Sequence, residues 1–228
     1  MQIAGFQKLT ALDFPNRVAC IVFTKGCNFR CPFCHNASLV THTQDAENLN
    51  EEEILEYLEK RKDILDGVVV TGGEPLVQND IEDFLKKIKK LGYEIKLDTN
   101  GTFPEKLISL VNSGLVDYVA MDIKNCKEKY SETAGVNNIN YDDIQKSIDF
   151  LLCNLVDYEF RTTVVNELHT IQDIEAIARS IKGAEKYFLQ NFVDSGDIIG
   201  DNLSSVSTKT LHEMCAVSTK FVKKCEIR

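Results

Sequence analysis

The chain has 228 residues and a formal net charge of −9, enough for one domain with a sizeable core and too little for two of ordinary size. Its acidic balance argues against nucleic-acid binding, which needs clustered Lys and Arg, and no apolar run approaches the roughly 18–20 residues that span a bilayer. The opening Met1-Gln2-Ile3-Ala4-Gly5-Phe6-Gln7-Lys8 lacks the basic start and long apolar stretch of a signal peptide. A cytoplasmic location is therefore expected, where eight cysteines point to metal or redox chemistry rather than disulfides.

Residues 3–16 read as a small hairpin or cover, and the apolar residues 18–23 as the first strand. Asn50 followed by Glu53 has the form of an N-cap with its capping-box partner, opening a helix with Ile54, Leu55 and Leu58 on one face. Val68-Val69-Val70 is a buried strand, and residues 81–91 a helix with Phe84, Leu85 and Ile88 inward. Further strands are expected over 93–97, 118–121, 160–165 and 187–189, helices near 104–112, 142–154 and 172–182, and an edge strand over 221–227. Strand and helix alternate, which marks the α/β class with parallel strands. Six strand–helix units are fewer than the eight of a full (β/α)8 barrel. The expected architecture is a partial (β/α)6 barrel in a single domain over 1–228, with an N-terminal cover (1–16), the barrel (17–200) and a C-terminal helix and edge strand (201–228). Cys20 and Cys153 stand among apolar residues and are expected to pack in the core. Cys215 and Cys225 leave a second redox pair open.

In parallel βα architectures, reactive groups gather at the C-terminal ends of the strands. Here Cys27-Asn28-Phe29-Arg30-Cys31-Pro32-Phe33-Cys34 follows the first strand. Structural zinc and an ordinary [4Fe–4S] cluster each take four ligands, so three thiolates leave one position open. Buried reduced cysteines or a zinc knuckle are the plainer alternatives. Thr71-Gly72-Gly73-Glu74-Pro75, Asp98-Thr99-Asn100-Gly101 and Met121-Asp122-Ile123-Lys124 end the next three strands. Arg161 and Thr163 alternate along the fifth, and Gln190-Asn191 closes the sixth. Each segment alone is ordinary turn or cap chemistry; their recurrence at one end of every strand is not.

The run from Gly26 to Cys34, continued by His35-Asn36, resembles the activase form of the radical S-adenosylmethionine signature. Gly72-Gly73-Glu74-Pro75 resembles the GGEP element of the same superfamily, and Asp122-x-Lys124 the Asp-x-Lys element of glycyl-radical-enzyme activases. With Gly5-Phe6-Gln7-Lys8-Leu9-Thr10-Ala11-Leu12-Asp13-Phe14-Pro15, the chain is similar to activating proteins of anaerobic ribonucleoside-triphosphate reductase, although Asn16 stands where that group often has Gly. The resemblance implies a [4Fe–4S] cluster on Cys27, Cys31 and Cys34, with S-adenosylmethionine on the open iron. It implies cofactor contacts from Phe33, Asn36, Gly72, Gly73, Glu74, Asp98, Asp122, Lys124 and Arg161, and a Na+ or K+ near Asp98, Thr99 and Asp122. The implied partners are a glycyl radical enzyme, foremost anaerobic ribonucleotide reductase, and a flavodoxin or ferredoxin as electron donor. From Asn36 to Thr71 there is no cysteine, which excludes a second cluster in that stretch. Two other readings stay open: a radical enzyme acting on a small molecule such as a deazapurine precursor, and a non-enzymatic iron–sulfur or zinc module.

Overall fold

Two of the parallel strands in the computed structural model, which describes residues 1–41 and 48–228, are buried almost throughout. These are β2 (Ala19–Thr24) and β3 (Gly67–Gly72). Such apolar, β-branched runs are what a parallel strand needs when both faces are covered. The described residues fall into two compact units: Met1–Asn28, Ser38–Thr99 and Glu105–Val119 form one, and Phe29–Ala37, Asn100–Pro104 and Ala120–Arg228 the other.

In the first unit, β1 (Ile3–Thr10) pairs antiparallel with β2, and β2, β3 and β4 (Glu94–Thr99) follow in parallel. Its helical segments are α1 (Ala37–Thr41), α2 (Glu51–Glu59), α3 (Ile81–Lys90) and α4 (Pro104–Asn112), of which Ala37 and Pro104 fall in the second unit. Phe14 is 2% exposed and packs in a cluster with Ala19, Ile21, Val69 and Tyr118. α3 buries Ile81, Phe84, Leu85 and Ile88. Asn50 caps α2 by accepting from the Glu52 amide at 2.9 Å, not through a reciprocal box with Glu53.

β5 (Tyr118–Asp122) begins in the first unit and ends in the second. At its start the Asp117 amide donates to the Ile95 carbonyl (2.9 Å); past its end the Ile123 amide donates to the Arg161 carbonyl (2.8 Å).

The second unit continues with α5 (Tyr130–Ala134), α6 (Tyr141–Leu152), β6 (Asp157–Val164), α7 (Ile171–Ser180), β7 (Tyr187–Asn191), α8 (Thr208–Ser218) and β8 (Cys225–Ile227). β6, β7 and β8 are parallel. A reciprocal capping box does form here, between Thr170 and Asp173 at the start of α7. After β8, Arg228 reaches back to Glu159 with two bonds of 2.9 and 3.0 Å, giving that fully buried carboxylate the cation it requires.

The α/β class with mostly parallel strands is as expected, and the edge strand is shorter than expected, confined to Cys225–Ile227. Cys153 is a correction: it is exposed, not core. It caps the C-terminus of α6, off the face that buries Ile144, Ile148 and Leu151, and its thiol points to the Asp149 carbonyl (3.3 Å). Among the described residues no helix is long and apolar enough to cross a membrane.

Replacing Phe14 by Ala removes the ring that closes the cluster over β2 and β3. It should cost about 3–5 kcal/mol, read as a lower midpoint in urea unfolding with little change in slope.

Candidate functional site

In the first unit, the ends of β2, β3 and β4 bring three of the sequence motifs to one edge. The Gly73 amide donates to the Thr24 carbonyl (3.0 Å) and the Glu74 amide to the Gly26 carbonyl (2.9 Å). The residue before Cys27 is thus seated directly on the Gly-Gly-Glu segment. Only glycines permit this. A Cβ at Gly72, whose φ is +119°, would stand 2.3 Å from the Thr24 nitrogen, and one at Gly73 would stand 1.9 Å from the Gly26 oxygen. Glu74 is 1% exposed, and its Oε1 accepts from the Leu76 amide (3.0 Å) and the Thr99 hydroxyl (2.8 Å). Its carboxylate therefore braces the turn and ties it to the end of β4. Asp98 forms an ion pair with Lys96, two residues earlier on the same strand.

The second unit carries the rest of the cysteine loop, and each residue from Phe29 to His35 has a partner within the unit. Phe29 packs edge-on against Tyr130, and the Arg30 amide donates to the Ala134 carbonyl (2.9 Å). Cys34 donates its amide to the Cys31 carbonyl (3.0 Å), and Gly200 donates to the Pro32 carbonyl (2.8 Å). Phe33 lies edge-on to His169. His35 stacks on Phe192, with its Nε2 2.8 Å from the Val193 carbonyl, which accounts for that ring without any ligand role. Asn36 is half-buried. Cys31 is buried while Cys27 and Cys34 are partly exposed. Burial pushes the Cys31 thiol up to about 11, against a smaller pull from Lys124. Such a thiol gives up its proton readily only to a metal.

Asp122, Lys124 and Arg161 form one network in this unit. The Arg161 Nε donates to Asp122 Oδ1 (2.9 Å) and the Lys124 ammonium to Oδ2 (3.1 Å). Burial opposes ionisation of Asp122, but Arg161 and Lys124 outweigh it and hold the carboxylate well below the usual range. Burial likewise opposes charge on Lys124, and Asp122 outweighs it in turn.

His169, absent from the sequence reading, holds this segment. It is 3% exposed. Its Nδ1 accepts from the Val165 amide (3.1 Å), which leaves the proton on Nε2 to be donated to the Lys124 carbonyl (2.8 Å). One ring so links the Lys124 backbone to Phe33. No periodicity marks a lone histidine after a strand, so nothing in the sequence points to it. Lys96 did leave a signal, a lysine amid the apolar residues of β4.

The residues matched to a monovalent cation fit one poorly. Asp98 is paired with Lys96, Asp122 with Lys124 and Arg161, and the Thr99 hydroxyl donates to Glu74. Hard oxygen ligands serve a cation when their charge is available to it, and here both carboxylates already have cationic partners.

The chain matches the model of the Radical SAM superfamily over residues 21–181. A protein of Methanocaldococcus jannaschii, provisionally named a glycyl-radical enzyme activating enzyme, is 32% identical over 232 residues, covering 99% of this chain and 95% of its own. The pyruvate formate-lyase-activating enzyme of Clostridium pasteurianum is 26% identical over 192 residues, covering 81% and 79%. Among solved structures, Streptococcus suis SuiB bound to S-adenosylmethionine superposes with a TM-score of 0.67 at 15% identity, over 91% of this chain. That likeness is one of fold, and this chain spans about half of SuiB's length (51%).

Burial lowers the pKa of His169 below its ordinary value. A lowered folded-state value means a stability contribution that is full above about pH 6.5 and lost as pH falls through the folded value. Urea unfolding of the wild type between about pH 7.5 and 5 should therefore show a loss that His169→Gln lacks. The variant should also be less stable at neutral pH by about 1–3 kcal/mol, for the disturbed bonds to Lys124 and Val165.

Proposed function

The chain belongs to the Radical SAM superfamily, and on that premise we propose that it is an activase that installs a glycyl radical on a partner enzyme. The observation that carries this reading is the seating of Gly26, the residue before Cys27, on Gly73 and Glu74. A cysteine loop built only to hold zinc has no need of a glycine pair beneath it. The similarity along 99% of the chain to a protein provisionally named as an activating enzyme supports the same reading.

In it, Cys27, Cys31 and Cys34 would hold a [4Fe–4S] cluster, and S-adenosylmethionine would bind beside it. Once bound, cluster and cofactor would supply the one-electron chemistry by which a glycyl radical is installed on the partner. The chain's own residues bind, orient and exclude. Gly72 and Gly73 let the backbone come close to the methionyl end, and Glu74 keeps that turn rigid through Leu76 and Thr99. Lys124 and Arg161, fixed on Asp122, present donors to the polar parts of the cofactor. Phe33 and Asn36 contribute from the cysteine loop.

The partner we assign is anaerobic ribonucleotide reductase, on the resemblance of the segments Gly5 to Pro15 and Cys34-His35-Asn36. Electrons come from a flavodoxin or ferredoxin, because the stretch from Asn36 to Thr71 offers no cysteine for a second cluster. The setting is cytoplasmic.

Anaerobic reconstitution should yield about four iron and four sulfide per chain. Cys31→Ala should abolish the cluster and Cys153→Ala should not; a full cluster in Cys31→Ala would overturn the ligand assignment. Mixing the reduced protein with S-adenosylmethionine and the reductase should give a glycyl-radical doublet in the electron paramagnetic resonance spectrum. Replacing the target glycine by Ala should remove it. Cofactor cleavage with no protein radical would favour a small-molecule substrate.

A further inference from the structure

Lys96 stands in the middle of β4, in register with Val69 of β3, and its side chain is 2% exposed. Lysine is almost never so deeply buried unless paired. Its partner is Asp98, 14% exposed, two residues on and hence on the same face of the strand. A buried ion pair is a poor source of stability, since apolar side chains of similar volume serve a core as well or better. Methionine or leucine would satisfy the strand. The reason for a lysine lies in where its charge is delivered.

Asp98 immediately precedes Thr99, whose hydroxyl is bonded to Glu74 in the Gly72–Pro75 turn. The Lys96 ammonium thus meets a carboxylate at the C-terminal end of β4, beside the turn proposed to hold the methionyl end of the cofactor. By resemblance, Asp98 and Thr99 correspond to positions around a Na+ or K+. In this chain the Asp98 carboxylate already carries a cation that is covalently part of the strand. A second cation there would face a like charge with little water to screen it.

We infer that Lys96 takes the place of the monovalent cation: its ammonium, paired with Asp98 at the end of β4, supplies the positive charge there, so cofactor binding is independent of Na+ and K+. Lys96 is on this account a positioning residue. The inference rests on the proposed S-adenosylmethionine site.

The test uses the full chain with its cluster reconstituted. Equilibrium dialysis measures the dissociation constant of S-adenosylmethionine in potassium, sodium and choline chloride at equal ionic strength. The wild type should bind equally in all three. Lys96→Met should bind about tenfold or more weakly in choline and regain affinity in potassium or sodium, whereas Lys96→Arg should stay indifferent to the salt. A wild type that loses affinity in choline would overturn the inference, and this comparison stands even if Lys96→Met fails to fold. A Lys96→Met variant unaffected in every salt, or one that no cation restores, would overturn it as well. Failure of the cluster-loaded wild type to bind S-adenosylmethionine in any salt would instead overturn the cofactor site on which it rests.

Discussion

The approach of the Gly73 backbone to the Gly26 carbonyl is the constraint on which the candidate site depends. A strand end, a glycine turn and the start of a cysteine loop meet at a distance that admits no side chain. Two parallel strands in register, β2 and β3, run into this contact, with Thr24 opposite Gly72. The sheet ladder and the loop are therefore one hydrogen-bonded piece, and the placement of Cys27 is inherited from the register. Glu74 extends the piece to a third strand through Thr99. Its carboxylate, easily taken for a ligand group, spends one oxygen on local structure.

In the second unit the organising element is charge. Asp122 lies between Arg161 and Lys124, each pair within 3.1 Å, so neither cation is left to itself and the carboxylate stays ionised. Bidentate pairing of one acid with two bases gives direction to otherwise flexible side chains. His169 adds the backbone to this arrangement. It bonds the Lys124 carbonyl on one side and the Val165 amide on the other, so its ring is neutral by geometry as well as by burial. Preorganisation of this kind sets polar groups in place before any ligand arrives.

Much of this was legible in the sequence, for a physical reason. Parallel strands covered on both faces must be apolar and β-branched, so 18–23 and 68–70 announce β2 and β3 without help from their partners. The amphipathic pattern of Phe84, Leu85 and Ile88 likewise announces α3. The motifs were legible because Gly-Gly before Glu-Pro and three spaced cysteines have little other use in combination. What was not legible depends on pairs distant in sequence. His169 acts through Lys124, 45 residues away, and Glu159 through Arg228, 69 residues away. Cys153 misled because its neighbours are apolar, yet they belong to a helix whose buried face stops at Leu151. Asn50 and Glu53 had the letters of a capping box, but the box formed at Thr170 and Asp173, where both reciprocal bonds could be made.

The uneven burial of the thiols has a consequence for the handling of this protein. Cys20 is fully buried and its thiol is pushed up to about 12 by burial, while Cys153 sits on the surface at the end of α6. Alkylating reagents attack the accessible thiolate, so a brief pulse of iodoacetamide on the folded chain marks Cys153 and passes over Cys20. Mass spectrometry of the two peptides then becomes a gauge of foldedness. A preparation in which Cys20 is carbamidomethylated has opened its first parallel strand, whatever its colour or iron content.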